Sequence, residues 1–168
     1  MARTELERSV QPSLIDRLTD DEPRVVADAP ITREESARRF RQSVQRDVEW
    51  LLNTRRTMYP APDWALEVRR SVYDYGLPDA TGLPVGTPAG SARLLAALRD
   101  TLERFEPRLA QLDVRLVDAD RGRAPQLRFV VEATLLMDPS PVRVVFDTVL
   151  EIARDQYEVR DSSVAAED

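Results

Sequence analysis

The chain has 168 residues, 42% hydrophobic and 32% charged, and its basic residues are all Arg; this balance predicts one soluble globular domain with a real core. The net charge of -6 argues against nucleic acid as a partner, because broad binding to nucleic acid needs a positive field. Without Cys or His, the chain has no disulfide, thiol nucleophile, histidine base or histidine metal ligand. With no signal-peptide pattern at the start and no apolar run near the roughly 20 residues of a membrane span, we expect a cytoplasmic protein without membrane insertion.

The N-terminal part is predicted to be an arm followed by a long helix. Residues 1–30 mix charge and proline around one apolar cluster at Leu14–Leu18, which indicates a short docking turn. Thr32 can cap a helix while Glu35 closes a capping box, and the helix should end near Arg55. Its apolar stripe follows the helical period through Ala37, Phe40, Val44, Val48, Leu51 and Leu52.

Trp50 lies off that apolar stripe, and two interpretations of it stay open. The first, which we favour from the residues alone, is that the Leu14–Leu18 cluster covers its indole ring. The second is that Trp50 anchors a partner protein, as exposed tryptophans often do.

The middle of the chain is predicted to hold two further helices. A short one should run from Trp64 to Tyr75, where Gly76 stops it in the left-handed conformation. A longer one should begin at Thr87 or Ser91. It should end near Phe105, because Pro107 cannot continue the hydrogen-bond ladder.

The period changes from 3.6 to 2 from Leu112 onward, which predicts β-strands. The first strand alternates through Leu112, Val114 and Leu116, two longer strands follow, and a fourth spans Gln156–Arg160. Short connections make the pairing antiparallel. The predicted fold class is therefore α+β, with N-terminal helices packed on one face of a small antiparallel β-meander of three to four strands. We expect one domain over residues 31–160 and a disordered polar tail over 161–168.

Three segments resemble the TssE-type baseplate subunits of type VI secretion systems, which belong with the phage baseplate wedge and sheath-initiator proteins in a lysozyme-like, GPW-type family. They are RDVEWLLNTRR at 46–56, SVYDYGLPD at 71–79 and FEPRL at 105–109. Their order and separation carry the resemblance, since each is short. Val48, Tyr73 and Asp74 depart from the commoner family residues without affecting the expected fold.

The resemblance implies that Glu106, Pro107 and Arg108 form a wedge-binding motif. Arg108 would be displayed as a forked donor at an exposed corner, so Arg108→Ala should leave folding intact. In the alternative interpretation, Glu106 and Arg108 merely pair with the protein's own backbone.

The resemblance also implies that the sheet templates the first sheath ring by strand addition at an open edge. We expect that edge between Val142 and Arg160, where Arg143 and Arg154 are candidate partner-facing residues. The alternative is that these two arginines and the acidic tail only protect the edge.

Two rival functions remain at this level. A lysozyme-like glycan hydrolase would need Glu106 as an acid, but the sequence places no second carboxylate, and Arg108 nearby favours the ionised form. An unrelated peptide-binding adaptor domain shares every compositional feature. We expect a structural protein with no catalytic residues, cofactor, metal or small-molecule substrate, whose partners are baseplate wedge proteins and sheath subunits.

Overall fold

The computed structural model of the chain describes residues 10–19, 31–79, 84, 87–120, 126–138, 140–151, 154 and 156–163. Within these residues, four α-helices and a 3-10 turn precede four strands, which confirms the predicted α+β class. None of the described helices is both long and apolar enough to cross a membrane. In chain order the elements are α1 (Leu14–Leu18), α2 (Arg33–Asn53), α3 (Leu66–Arg69), the 3-10 turn (Val72–Asp74), α4 (Pro88–Phe105), β1 (Leu109–Asp120), β2 (Gln126–Leu135), β3 (Val142–Glu151) and β4 (Gln156–Asp161).

The chain divides into two compact units, Met1–Val44 and Gln45–Asp168. In the first unit, the predicted docking turn forms the short helix α1, whose apolar side chains are exposed; its docking stays a prediction. The hydroxyl of Ser36 donates a hydrogen bond of 2.8 Å to the carbonyl of Val10. Residues 1–9 and 20–30 of the predicted arm lie outside the described residues.

The N-terminus of α2 is capped as predicted, but only on one side. The Thr32 hydroxyl accepts a hydrogen bond of 3.2 Å from the Glu35 N–H. The Glu35 carboxylate turns instead to Arg38 and Arg39, and hydrogen bonds from Arg39 and then Arg38 lower the pKa of Glu35. The predicted stripe of α2 is confirmed, since Phe40, Val44, Val48, Leu51 and Leu52 are buried.

The predicted helix Trp64–Tyr75 is shorter than expected and is divided in two. α3 ends at Arg69, and the hydroxyl of Ser71 then caps the 3-10 turn by accepting a bond of 3.2 Å from the Tyr73 N–H. Gly76 has φ +101°, as its predicted left-handed role requires. A Cβ at this position would lie 2.2 Å from the Thr54 carbonyl oxygen, so the chain passes directly against the end of α2.

The start and end of α4 follow the prediction. The Thr87 hydroxyl accepts a bond of 3.1 Å from the Gly90 N–H, and Pro88 occupies the first turn. The helix ends at Phe105, two residues before Pro107. Leu94, Leu98 and Leu102 are buried, and the helix packs against β1.

The four strands form one antiparallel meander in the order β1-β2-β3-β4. β1 is longer than predicted and contains two β-bulges, between Ala110 and Asp113 and between Leu116 and Asp118. Leu116 lies opposite the buried Phe129, on the core side as predicted, but it is 37% exposed. The core face of the sheet is filled as expected by large buried side chains: Leu127, Phe129, Val131, Leu135, Val144, Phe146 and Leu150.

The sheet extends past residue 160, where the predicted domain ends. Asp161 is the last residue of β4. The Ser162 N–H then donates to the Val145 carbonyl at 2.8 Å, and the Ser163 hydroxyl accepts from the Val145 N–H at 3.0 Å. The rest of the predicted tail, 164–168, lies outside the described residues.

Candidate functional site: a charged corner between α4 and β1

The turn between α4 and β1 carries the predicted motif, and its charges bind one another. The Arg108 guanidinium donates to both carboxylate oxygens of Glu106, each at 2.5 Å, and to Asp47 on α2 at 2.8 Å. The Arg108 backbone N–H also donates to Glu106, at 3.3 Å. We call Asp47, Glu106, Pro107 and Arg108 the corner. Its geometry is fixed by bidentate and charge-assisted hydrogen bonds.

The corner is less exposed to solvent than the sequence predicted. Glu106 is only 4% exposed, and 23% of the Arg108 side chain is accessible. The expectation that Arg108 lies at an exposed site is therefore wrong. The alternative interpretation, pairing with the protein's own backbone, describes one of these bonds, while the others join side chains. Pro107 is exposed.

The charge on Arg108 is secured by its partners. Burial by itself would lower the pKa of Arg108, but the hydrogen bonds to Glu106 and Asp47 outweigh it and raise the pKa. The guanidinium is therefore charged at neutral pH, and it binds two carboxylates in a half-buried setting.

Trp50 is joined to the corner through a charged neighbour. Arg46 donates to Asp47 at 2.8 Å, and its guanidinium lies 4.9 Å from the centroid of the Trp50 ring. The indole is 57% exposed. The α1 cluster and Trp50 belong to different units, so the predicted covering of Trp50 by that cluster stays a prediction.

A second ionic cluster forms around Asp74, where the segments 46–56 and 71–79 meet the end of α4. Asp74 is buried and accepts from Arg104 at 3.0 Å, and Arg56 lies 3.7 Å from the same oxygen. Arg104 also pairs with Asp100 at 2.6 Å. The other oxygen of Asp74 is buried without a hydrogen-bond partner among the described residues.

Tyr75 connects the two ionic clusters. Its ring meets Phe105 edge-on at a centroid distance of 5.3 Å. Burial, followed by the charges of Asp47 and Glu106, raises the pKa of Tyr75, while Arg108 opposes the shift. The segments 46–56, 71–79 and 105–109 therefore meet in one place. Sequence reasoning did not assign Asp47, Arg56, Asp74 or Tyr75, although all four lie inside the quoted segments.

Arg143 and Arg154, the predicted partner-facing residues, lie outside these clusters. Arg143 is 74% exposed and pairs with Glu132, which also binds Arg115 on β1. Arg154 is similarly exposed and pairs with Glu151 at 3.3 Å. These exposed pairs place charge on the sheet surface and stabilise the fold little.

The outer edge of β4 is closed by α2, a feature that sequence reasoning missed. The Asn53 amide donates to the Tyr157 carbonyl at 2.9 Å and accepts from the Tyr157 N–H at 2.8 Å. Two residues further along β4, Gln45 donates to the Val159 carbonyl at 2.8 Å, and Glu49 accepts from the Val159 N–H at 3.2 Å. We call Gln45, Glu49 and Asn53 the α2 row. Their spacing of four residues is the available sequence signal, since it places them on one helix face.

Among the described residues, no group of three or more acidic side chains is placed to hold a metal ion. A pocket of about 440 Å³ lies beside α3 and α4 and contains none of the corner residues; it is lined by Leu66, Arg69, Arg70, Asp100, Glu103 and Arg104.

The fold and the site together define a class: an α+β protein whose meander is joined to its helices by a half-buried ionic corner. The sequence matches the family described as baseplate wedge protein gp25 over residues 38–140, more than half of the chain. The chain belongs to this baseplate wedge protein family, and the matched region includes all three quoted segments. Membership makes it a structural component of the baseplate wedge type. Comparisons with curated proteins and with solved structures gave no significant match.

Proposed function

We propose that this protein is a non-catalytic baseplate subunit of a type VI secretion or related contractile injection machine. It binds wedge proteins through the corner, and its sheet starts the first sheath ring by accepting a strand. The observation that carries the proposal is the family match across Glu106–Arg108, together with the ionic network built around these residues. We further propose that it acts in the cytoplasm, on the inner side of a membrane-anchored machine.

The geometry of the corner supports a rigid docking point. Pro107 fixes the backbone direction, and Arg108 is held from both sides by Glu106 and Asp47. A surface already held in its bound shape loses little conformational entropy when a partner docks. Trp50 adds an exposed aromatic surface next to this corner, so it is the strongest candidate anchor for a wedge protein.

The same geometry argues against glycan hydrolysis. Retaining glycosidases need two carboxyl groups about 5 to 5.5 Å apart on either side of the sugar bond. Here Glu106 and Asp47 bind the same terminal nitrogen of Arg108, which occupies the space between them. Purified protein should show no glycan turnover, and activity that disappears in Glu106→Gln would contradict a purely structural role.

Co-purification tests the proposed partners. The tagged protein, expressed with the wedge and sheath proteins encoded beside it, should recover both kinds of partner. Trp50→Ala should reduce recovery of the wedge proteins. Trp64→Ala is the matched control, because Trp64 is also exposed but makes no described contact with the corner. Recovery of neither partner by the unaltered protein would refute the proposal.

A further inference from the structure

The two edges of the sheet are treated differently by the rest of the chain. In the β3–β4 register, Thr148 lies opposite Val159 and Leu150 opposite Tyr157. Tyr157 and Val159 point their N–H and C=O groups away from β3, and the α2 row binds all four of these groups. Asn53 satisfies both groups of one residue, as a paired strand would. This edge offers no unpaired group at these two residues.

At the opposite edge, the corresponding groups belong to β1. In an antiparallel sheet, successive residues point their N–H and C=O groups alternately toward one neighbouring strand and the other. Following this alternation from β4 through β3 and β2 shows that Val114 and Leu116 point these groups away from β2. Among the parts of the chain that the structure describes, nothing outside the sheet binds the backbone of these two residues. Between the two bulges, Asp113–Leu116 forms an uninterrupted stretch of strand.

We propose that Asp113–Leu116 of β1 is the edge to which a partner strand adds, and that the α2 row excludes such addition at β4. This inference rests on the proposed function, because it names the surface through which the sheet would start the sheath. It moves the acceptor edge from the segment Val142–Arg160, where the sequence placed it, to the other side of the sheet.

The side chains around this stretch specify the partner strand. Leu116, on the core side, is partly exposed, and Val117 at the following bulge is exposed. On the other face, Asp113 pairs with Arg115 at 2.9 Å, and Arg115 also binds Glu132. An added strand would extend both rows. It should therefore be an extended segment of a sheath subunit in which apolar residues alternate with charged ones.

Hydrogen exchange in the presence of purified sheath subunit tests the inference. We expect slower exchange at the amides of Val114 and Leu116, and unchanged exchange at Tyr157 and Val159. Protection at Tyr157 and Val159 instead would overturn the inference and leave the proposed function standing. Protection at neither edge of a bound complex would overturn the inference and also the proposed acceptance of a strand. If the sheath subunit does not bind at all, the proposed function fails with it.

A proline at the edge provides a second, independent measurement. Leu116→Pro removes an N–H that points away from β2, so the ladder to β2 should survive and circular dichroism should be unchanged. Sheath affinity should fall by about tenfold or more, which corresponds to the loss of one hydrogen bond of about 1.4 kcal/mol. Leu116→Ala is the matched control, because it removes the side chain and keeps the N–H.

Asn53→Ala is the control for the β4 edge. It should change sheath affinity by less than about twofold, compared with the tenfold loss expected when a hydrogen bond at the β1 edge is removed. Equal binding by the proline and alanine variants at residue 116 would overturn the assignment of the β1 edge. Should Leu116→Pro fail to fold, the exchange measurement on the unaltered protein decides.

Discussion

At the scale of single residues, the described bonds of Arg108 point inward. Its guanidinium joins Glu106 on one side of the corner to Asp47 on α2, and Glu106 is almost completely buried. A motif that looks from the sequence like a binding signature is, in the structure, an internal clamp. We therefore expect variants at this position to lower stability, whatever their effect on partner binding.

Arg108→Ala should destabilise the protein by about 2 to 4 kcal/mol, because it leaves a buried carboxylate without its cation. The measurement is the midpoint of urea unfolding. Arg143→Ala is the control, since its ion pair with Glu132 is exposed and should be worth less than about 1 kcal/mol. Equal and small effects of both substitutions would show that the corner does not clamp the fold.

Gly76 lies where the chain passes close to the end of α2, and this position has no room for a side chain. Gly76→Ala should cost about 1 to 3 kcal/mol, because the added Cβ would meet the Thr54 carbonyl oxygen in an already left-handed conformation. Gly76→Asn separates the two causes. Asparagine tolerates positive φ but still carries a Cβ, so the close approach predicts no rescue. Recovery of stability in the Asn variant would assign the cost to backbone conformation alone.

At the scale of elements, α2 acts on two of its faces. One face carries the buried apolar stripe, and the other carries the α2 row that binds β4. A helix that supplies hydrogen-bond partners to an edge strand is one way in which proteins prevent edge-to-edge aggregation. The polar face of α2 is therefore part of the architecture rather than a solvated surface.

Asn53→Ala should destabilise the protein by about 1 to 3 kcal/mol, because both backbone groups of Tyr157 lose their partner. The amide of Tyr157 should then exchange faster with solvent. Asn53→Asp is the matched variant: it keeps an acceptor for the Tyr157 N–H and loses the donor to the carbonyl. Compared with the Ala variant, it should therefore recover most of the protection of the Tyr157 amide but less of the free energy of unfolding. Unchanged exchange in the Ala variant would contradict the guarding role.

The sequence predicted the elements best where one strong signal controls them. The caps at Thr32 and Thr87 and the stop at Pro107 placed α2 and α4 within a few residues. The prediction was poorer where local side chains compete with the periodic pattern. Ser71 caps a new turn inside a predicted helix, and two bulges interrupt β1, which alternation predicted as a regular strand.

At the scale of the whole molecule, stability should depend on the core face of the sheet. Phe129→Ala should cost about 3 to 5 kcal/mol, because the ring is fully buried at the centre of β2. Thermal unfolding followed by circular dichroism measures the loss. Leu136→Ala is the control, since this side chain is about half exposed just beyond the same strand. A similar loss in both variants would place the core elsewhere.

The candidate site was only partly predictable, because it is made by tertiary contacts. The sequence supplied Glu106, Pro107 and Arg108 as neighbours in the chain, but nothing in their spacing placed Asp47 against Arg108, 61 residues apart. The closing of β4 by α2 depends on contacts across more than 100 residues. Such pairings follow from how helix and sheet pack, which no local pattern encodes.

The position of Arg46 over the Trp50 ring has a practical consequence. A charged group held against an indole changes its fluorescence, and Trp50 is one of only two tryptophans in the chain. Replacing Trp64 by phenylalanine would leave a single emitter beside the corner. Its emission would then report the arrival of a wedge protein in solution, without any attached label.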